Sequence, residues 1–134
     1  GADSVTVFEV AERSVQCTRK TANLNDFGDI ISVIHGYVGE VQNPRMGAWG
    51  PQISPERCRD CDVLEMDCEG AEIDILTGFD RGNLPRVIIV ETHGVSGAST
   101  SDVRRELTRL GYKITNKEAE DSSDDIFVLT AVQK

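Results

Sequence analysis

An α/β fold with a mostly parallel, three-layer sheet is predicted by three observations. Apolar, β-branched runs alternate with helix-periodic segments along the chain, which is the order of strand–helix–strand units. The run Val87-Ile88-Ile89-Val90 is continuous rather than alternating, as in strands covered on both faces. The length of 134 residues corresponds to one domain, enough to bury roughly two-thirds of the surface an unfolded chain exposes.

Val5-Thr6-Val7-Phe8 reads as the first strand and ends at the acid Glu9. Ala11, Val15, Thr18 and Ala22 then recur at helical spacing, with Glu12, Arg13, Arg19 and Lys20 on the other faces. Asn25-Asp26-Phe27-Gly28 is a stop-and-turn signal. Ile30-Ile31-Ser32-Val33-Ile34 is the second strand, ending at His35-Gly36, and residues 37–41 extend it or form a short separate piece. Across residues 42–60 the prolines at 44, 51 and 55 and the glycines at 47 and 50 forbid a long regular element. Arg45, Met46 and Trp49 are that loop's conspicuous side chains, placed either to pack it down or to close over a substrate.

Residues 62–66 form the next strand, followed by a helix from about residue 69 to residue 77, with Gly78 where a C-cap glycine belongs. The strand at residues 86–90 ends at Glu91-Thr92-His93. A small-residue loop leads to a helix capped by Thr100, Ser101 or Asp102, with Val103, Leu107 and Leu110 as its apolar stripe and Gly111 at its end. Residues 112–115 are a weak strand, residues 116–125 an acidic loop, and residues 126–132 a strong final strand. No helix separates the last two strands, so one of them runs antiparallel.

The formal net charge of −9 and pI near 4.6 argue against nucleic acid or a membrane surface as partner. Arg104, Arg105 and Arg109 fall on one helix and read as a solvated face. An acidic, lysine-poor surface suits solubility in high salt, and a halophilic source is one expectation from it. No run has the length of a transmembrane helix and nothing resembles a signal peptide, so a cytoplasmic location with free thiols is expected. The chain begins with Gly1 rather than Met, as a processed or excised chain does. Cys58-Arg59-Asp60-Cys61 is a lone C-x-x-C, and a structural zinc site needs two further ligands that no second C-x-x-C or paired histidines supply; Cys17 and Cys68 remain outside it. No metal is expected.

Chemistry-bearing residues gather where strands end. Asp67-Cys68-Glu69-Gly70 follows the strand at residues 62–66, and the carboxyl ends of strands in α/β sheets are where ligands sit. Capping of the next helix is the equal alternative for Asp67 and Glu69. Glu9, His35-Gly36 and Glu91-Thr92-His93 also close strands.

With these residues in place the sequence resembles the FkbM-type methyltransferases, a branch of the class I, S-adenosylmethionine-dependent fold. The family pattern is an apolar strand, Asp-x-Glu-Gly-x-Glu, a Leu-x-Gly helix end, and an apolar strand closing with Glu-x-His. Here Leu64-Glu65-Met66-Asp67-Cys68-Glu69-Gly70-Ala71-Glu72, Leu76-Thr77-Gly78 and Val87-Ile88-Ile89-Val90-Glu91-Thr92-His93 carry it. Val5-Thr6-Val7-Phe8-Glu9 is similar to the family's second strand with its acidic tip, and Asn25 matches an Asn that follows the next helix. Glu65 stands where the family commonly has Lys, and Val10 where it commonly has Pro.

The resemblance implies a three-layer Rossmann-like methyltransferase sheet of strand order 3-2-1-4-5-7-6, mostly parallel with an antiparallel C-terminal strand. No Gly-x-Gly-x-Gly turn for the methionine end of the cofactor occurs in these residues, so the chain is expected to lack the first, central strand. A single, N-terminally incomplete domain follows, itself inactive and with doubtful binding of S-adenosylmethionine. The strands at residues 5–8 and 63–66 would then pair directly, or a second copy would fill the gap in a homodimer joined through exposed sheet edges.

By the same resemblance Glu9 holds the ribose hydroxyls, His35 and Gly36 lie near the adenine, and Asp67 contacts cofactor or acceptor. Asp67 is the first candidate for general base, with Glu69, Glu91 and His93 as alternatives. The expected reaction is methyl transfer, to oxygen rather than nitrogen, on a small-molecule or sugar-like acceptor. A non-catalytic α/β interaction module that pairs through an exposed sheet edge is the competing function.

Overall fold

A computed structural model describes residues 1–39 and 50–134 of the chain; Arg45, Met46 and Trp49 lie outside them. The described residues fall into two compact units. The first holds Gly1–Val38 and residues 50–53, and the second holds Gly39 and Ser54–Lys134.

In the first unit β1 (Val5–Glu9) leads into α1 (Glu12–Leu24), and β2 (Ile31–His35) returns parallel to β1. Val15 and Ala22 are the buried residues of α1, two of the four positions read from its periodicity. Asn25 caps the helix and Asp26 adopts φ 60°, the left-handed conformation that Asp tolerates in a turn. The register sets Val7 beside Val33 and Glu9 beside His35, so both tips end level. A two-residue strand, β3 (Tyr37–Val38), pairs in parallel with β4 (Gln52–Ile53).

The second unit carries a four-stranded sheet of order β5-β6-β8-β7, made of β5 (Val63–Met66), β6 (Val87–Glu91), β7 (Tyr112–Asp121) and β8 (Ile126–Gln133). β5 and β6 are parallel, and β8 runs antiparallel to both β6 and β7. The implied order 3-2 is reproduced by β2-β1 and the implied 4-5-7-6 by β5-β6-β8-β7. α2 (Glu72–Thr77) and α3 (Thr100–Arg109) pack on one another. The unit's core joins Ile75, Leu76 and Phe79 to Ile88, Val90, Val103, Leu107 and Leu129, each at most 2% exposed. Fully burying a side chain of this size contributes about 1.5–3 kcal/mol.

Five local expectations are corrected. The run in β6 alternates, with Ile88 and Val90 at 0% exposure and Val87 and Ile89 only half-buried, so one face is packed and the other partly covered. The helix after β5 begins at Glu72 rather than near residue 69, because Glu69 (φ 54°) and Gly70 (φ 114°) reverse the chain. α3 is capped by Ser99, whose Oγ accepts from the Asp102 amide at 3.2 Å, rather than by the three residues after it.

Most of the expected acidic loop at residues 116–125 is strand. β7 runs to Asp121 because β8 supplies its backbone partners, and its charged side chains are those of an edge strand. Lys117 lies 3.5 Å from the ring centroid of Phe127 across this hairpin. Arg109, read as part of a solvated face, instead donates from Nη2 to the Leu76 carbonyl at 2.9 Å and from Nε to Glu106 at 2.6 Å, tying α3 to the end of α2. Gly78 ends α2 with φ −69°; an added Cβ there would lie 3.0 Å from the Pro55 Cβ, a tight contact that glycine avoids.

Candidate active site

Parallel register builds the site in the second unit. Met66 pairs with Val90, so the next residues, Asp67 and Glu91, emerge side by side at the carboxyl ends of β5 and β6. Side chains alternate along a strand. Val90 and Thr92 therefore enter the core at 0% exposure, and Glu91 and His93 share the other face.

Glu72 holds the arrangement together, a role that the sequence pattern around it does not assign. It is the first residue of α2 and is 0% exposed. Its Oε1 accepts from the Cys68 amide at 2.9 Å and its Oε2 from the Gly70 amide at 3.0 Å, which closes the loop after β5. His93 Nδ1 lies 2.9 Å from the same Oε1. A buried carboxylate is tolerated when its lone pairs are filled in this way. A signal for it did exist: Glu72, Ile75, Leu76 and Phe79 fall at i, i+3, i+4 and i+7, a carboxylate on an apolar helix face.

Gly70 allows the loop to lie against the segment after His93. A Cβ there would stand 2.6 Å from the Ser96 carbonyl oxygen, and φ is already 114°. Thr92 anchors that segment: its Oγ1 accepts from the Phe127 amide at 3.1 Å and lies 2.8 Å from Thr100 Oγ1. Asp125 Oδ2 accepts from the Thr100 amide at 2.9 Å, at the start of α3.

His93 is 5% exposed. With Nδ1 donating to Glu72, Nε2 lies on the ring's other side, where a neutral imidazole would present its lone pair. Nε2 faces Asp67 Oδ1 at 3.4 Å, Glu91 Oε1 at 3.7 Å and Glu69 Oε2 at 3.8 Å. The Asp67 and Glu69 side chains are 63% and 49% exposed, so their carboxylates reach solvent while the imidazole is enclosed. Neither carboxylate caps α2, whose N-cap is Ala71 with no side-chain bond. Burial, then the charge of Asp67, raises the Glu91 carboxyl above its ordinary value; His93 opposes this, and Glu120 and Glu69 add to it. Burial and then Glu72 push the Cys68 thiol up to about 12, so it is a neutral neighbour rather than a nucleophile.

In the first unit the other candidates meet at the tips of β1 and β2. Glu9 Oε1 accepts from the Ala11 amide at 2.9 Å, and His35 Nε2 donates to the Val10 carbonyl at 3.1 Å. The Gly36 amide donates to the Glu9 carbonyl at 3.0 Å. Gly36 also has a packing reason, since an added Cβ would fall 2.6 Å from the Pro51 carbonyl oxygen. The structure thus groups Glu9, His35 and Gly36 in one unit and Asp67, Glu69, Glu91 and His93 in the other. All four cysteines are free, with Cys58 buried and raised to about 11 by that burial. Among the described residues no helix is long and apolar enough to cross a membrane.

A profile of the methyltransferase FkbM domain matches residues 52–114, the segment that carries Asp67, Glu69, Glu72, Glu91 and His93. No curated protein matches the chain. Among solved structures, a protein of the NADB-Rossmann superfamily from Streptococcus agalactiae is similar, with a TM-score of 0.60 and 13% identity over 98% of this chain and 52% of its own. A magnesium protoporphyrin IX methyltransferase from Synechocystis, solved with bound S-adenosylmethionine, gives 0.56 and 14% over 98% of this chain and 60% of its own. An O-methyltransferase family protein from Burkholderia thailandensis gives 0.57 and 10% over 98% and 44%. The chain thus spans about half the length of these proteins, and the likeness is one of fold. Residues 52–114 are thus similar to the methyltransferase FkbM domain, and the chain has a Rossmann-like fold shared with solved methyltransferases.

Proposed function

We propose that the protein takes part in S-adenosylmethionine-dependent methyl transfer to a hydroxyl oxygen of a small-molecule or sugar-like acceptor. The observation that carries this reading is the convergence of Asp67, Glu69, Glu91 and His93 at the ends of two adjacent parallel strands, inside the segment that matches the family. In the reaction the acceptor oxygen attacks the sulfonium methyl, the carbon–sulfur bond breaks as the carbon–oxygen bond forms, and S-adenosylhomocysteine leaves. The acceptor's proton goes to Asp67, whose carboxylate is open to solvent and 3.4 Å from the His93 imidazole. Glu69 and Glu91 flank this base. Glu9 is the ribose acceptor, His35 and Gly36 border the adenine, and orientation of the acceptor behind the sulfonium supplies much of the rate.

A corollary concerns this chain by itself. Its 134 residues hold no Gly-x-Gly-x-Gly turn, and we read the chain alone as a weak cofactor binder with little turnover. Amide NMR with S-adenosylhomocysteine tests the assignment. Millimolar ligand is expected to shift Glu9, His35, Gly36 and Asp67 together, and labelled methyl transfer to polyol acceptors by the full-length protein is expected to fall about a hundredfold in Asp67→Asn. A titration that moves none of those amides overturns the cofactor reading. The competing interaction module rests on β5, an edge strand whose Val63 is 48% exposed. Concentration-dependent light scattering with no response to the cofactor would favour it.

A further inference from the structure

We propose that Asp67, Glu69 and His93 bind one divalent first-row cation, with Mn2+ as the best-suited ion, at the carboxyl ends of β5 and β6. One ligand-bearing atom from each of the three residues lies within 4.8 Å of the others. Ligand atoms around such an ion, with bonds of about 2.0–2.2 Å, stand about 3–3.5 Å apart. The gap closes by rotation of the two exposed side chains toward the enclosed imidazole.

Two features separate this cluster from an ordinary acidic surface. The first is the ring itself, 5% exposed, with Nε2 aimed at the carboxylates and making no hydrogen bond to any described residue. Its neighbours at 3.4 to 3.8 Å are all carboxylate oxygens, which can only accept. The other ring nitrogen is held by the buried Glu72 at 2.9 Å, the carboxylate–histidine pairing that fixes a metal-ligating tautomer. The second feature is uncompensated charge. Among the described residues no lysine or arginine pairs with Asp67, Glu69 or Glu91; His93 is the one basic side chain within 4.0 Å of each, and it offsets their charge only when protonated. One imidazole with two carboxylates is intermediate between the all-oxygen sets that suit Mg2+ and the nitrogen- or sulfur-rich sets that suit Zn2+, and this selects Mn2+.

The ion's role rests on the methyl-transfer reading: an ion held at this rim would lower the pKa of the acceptor hydroxyl, and with Asp67 engaged as a ligand Glu91 would be the neighbouring carboxylate that takes the proton. Binding itself does not require that reading. The test is Mn2+ titration of the chelator-treated chain, followed by the electron paramagnetic resonance of free Mn2+ and by calorimetry. One saturable ion per chain is expected, weakened about tenfold or more in Asp67→Asn/Glu69→Gln and within about twofold of the original in the control Asp60→Asn/Asp62→Asn. All four substituted side chains are on exposed residues, and circular dichroism checks that the fold survives. Paramagnetic broadening should centre on Asp67, Glu69 and His93. No saturable binding, or equal affinity in the two double variants, overturns the site. Methyl transfer undiminished by chelator overturns the ion's role and leaves the methyltransferase reading standing. Specific Mn2+ binding by the chain alone supports the site whether or not it transfers a methyl group, since the chain alone is expected to show little turnover.

Discussion

The tips of β5 and β6 and the tips of β1 and β2 look alike in sequence, each offering an acid and a histidine where a strand ends, yet they differ in which atoms are already committed. At β1–β2 the Glu9 carboxylate is occupied by the Ala11 amide and His35 Nε2 by the Val10 carbonyl, both short-range or neighbouring-strand backbone contacts. At β5–β6 a buried side chain, Glu72, accepts from two loop amides and holds His93 by Nδ1, which leaves Nε2 directed at carboxylates. The lesson is that a buried carboxylate beneath the rim leaves the rim's own groups uncommitted, whereas at β1–β2 a backbone contact already holds one atom each of Glu9 and His35.

The largest break in this contrast should come from Glu72. Glu72→Ala leaves the Cys68 and Gly70 amides and His93 without their partner, and is expected to destabilise the chain by about 3–5 kcal/mol in urea unfolding. Glu9→Ala removes one amide acceptor and should cost about 1 kcal/mol. Equal losses would mean that the two rims are built alike. Next in size is Gly70→Ala, which adds a Cβ 2.6 Å from the Ser96 carbonyl oxygen to a φ of 114°. A loss of about 3 kcal/mol is expected, against about 1 kcal/mol for Gly97→Ala, where φ is 95° but the space is open. A reversed order by thermal melting would remove Gly70 from the site's scaffold.

The finest distinction costs no stability. Long-range proton–nitrogen NMR on the neutral imidazoles should find the proton on Nδ1 in His93 and on Nε2 in His35. Matching tautomers in the two rings would erase the contrast.

What could be read along the chain was whatever depends on neighbours in sequence. The apolar runs at residues 5–8, 63–66 and 87–90 became strands, and Val103 and Leu107 lined the buried face of α3. The parallel pairing of β5 and β6 and the antiparallel last strand followed from the order of elements. Asp67, Glu69, Glu91 and His93 could be grouped by strand ends alone, because a parallel register carries the tips of adjacent strands to the same height.

Other features depended on partners distant in sequence. The acidic residues of β7 have weak strand propensity, and β8 overrode it by filling their backbone hydrogen bonds. Ser99 rather than its successors became the cap of α3, where Asp125 also reaches the Thr100 amide from 25 residues away. Residue order and periodicity by themselves determined the strand sequence and the identity of the rim. Tertiary structure decided which rim atoms remain available, because a hydrogen bond such as that between His93 and Glu72, 21 residues apart, exists only once two elements are packed to within 3 Å.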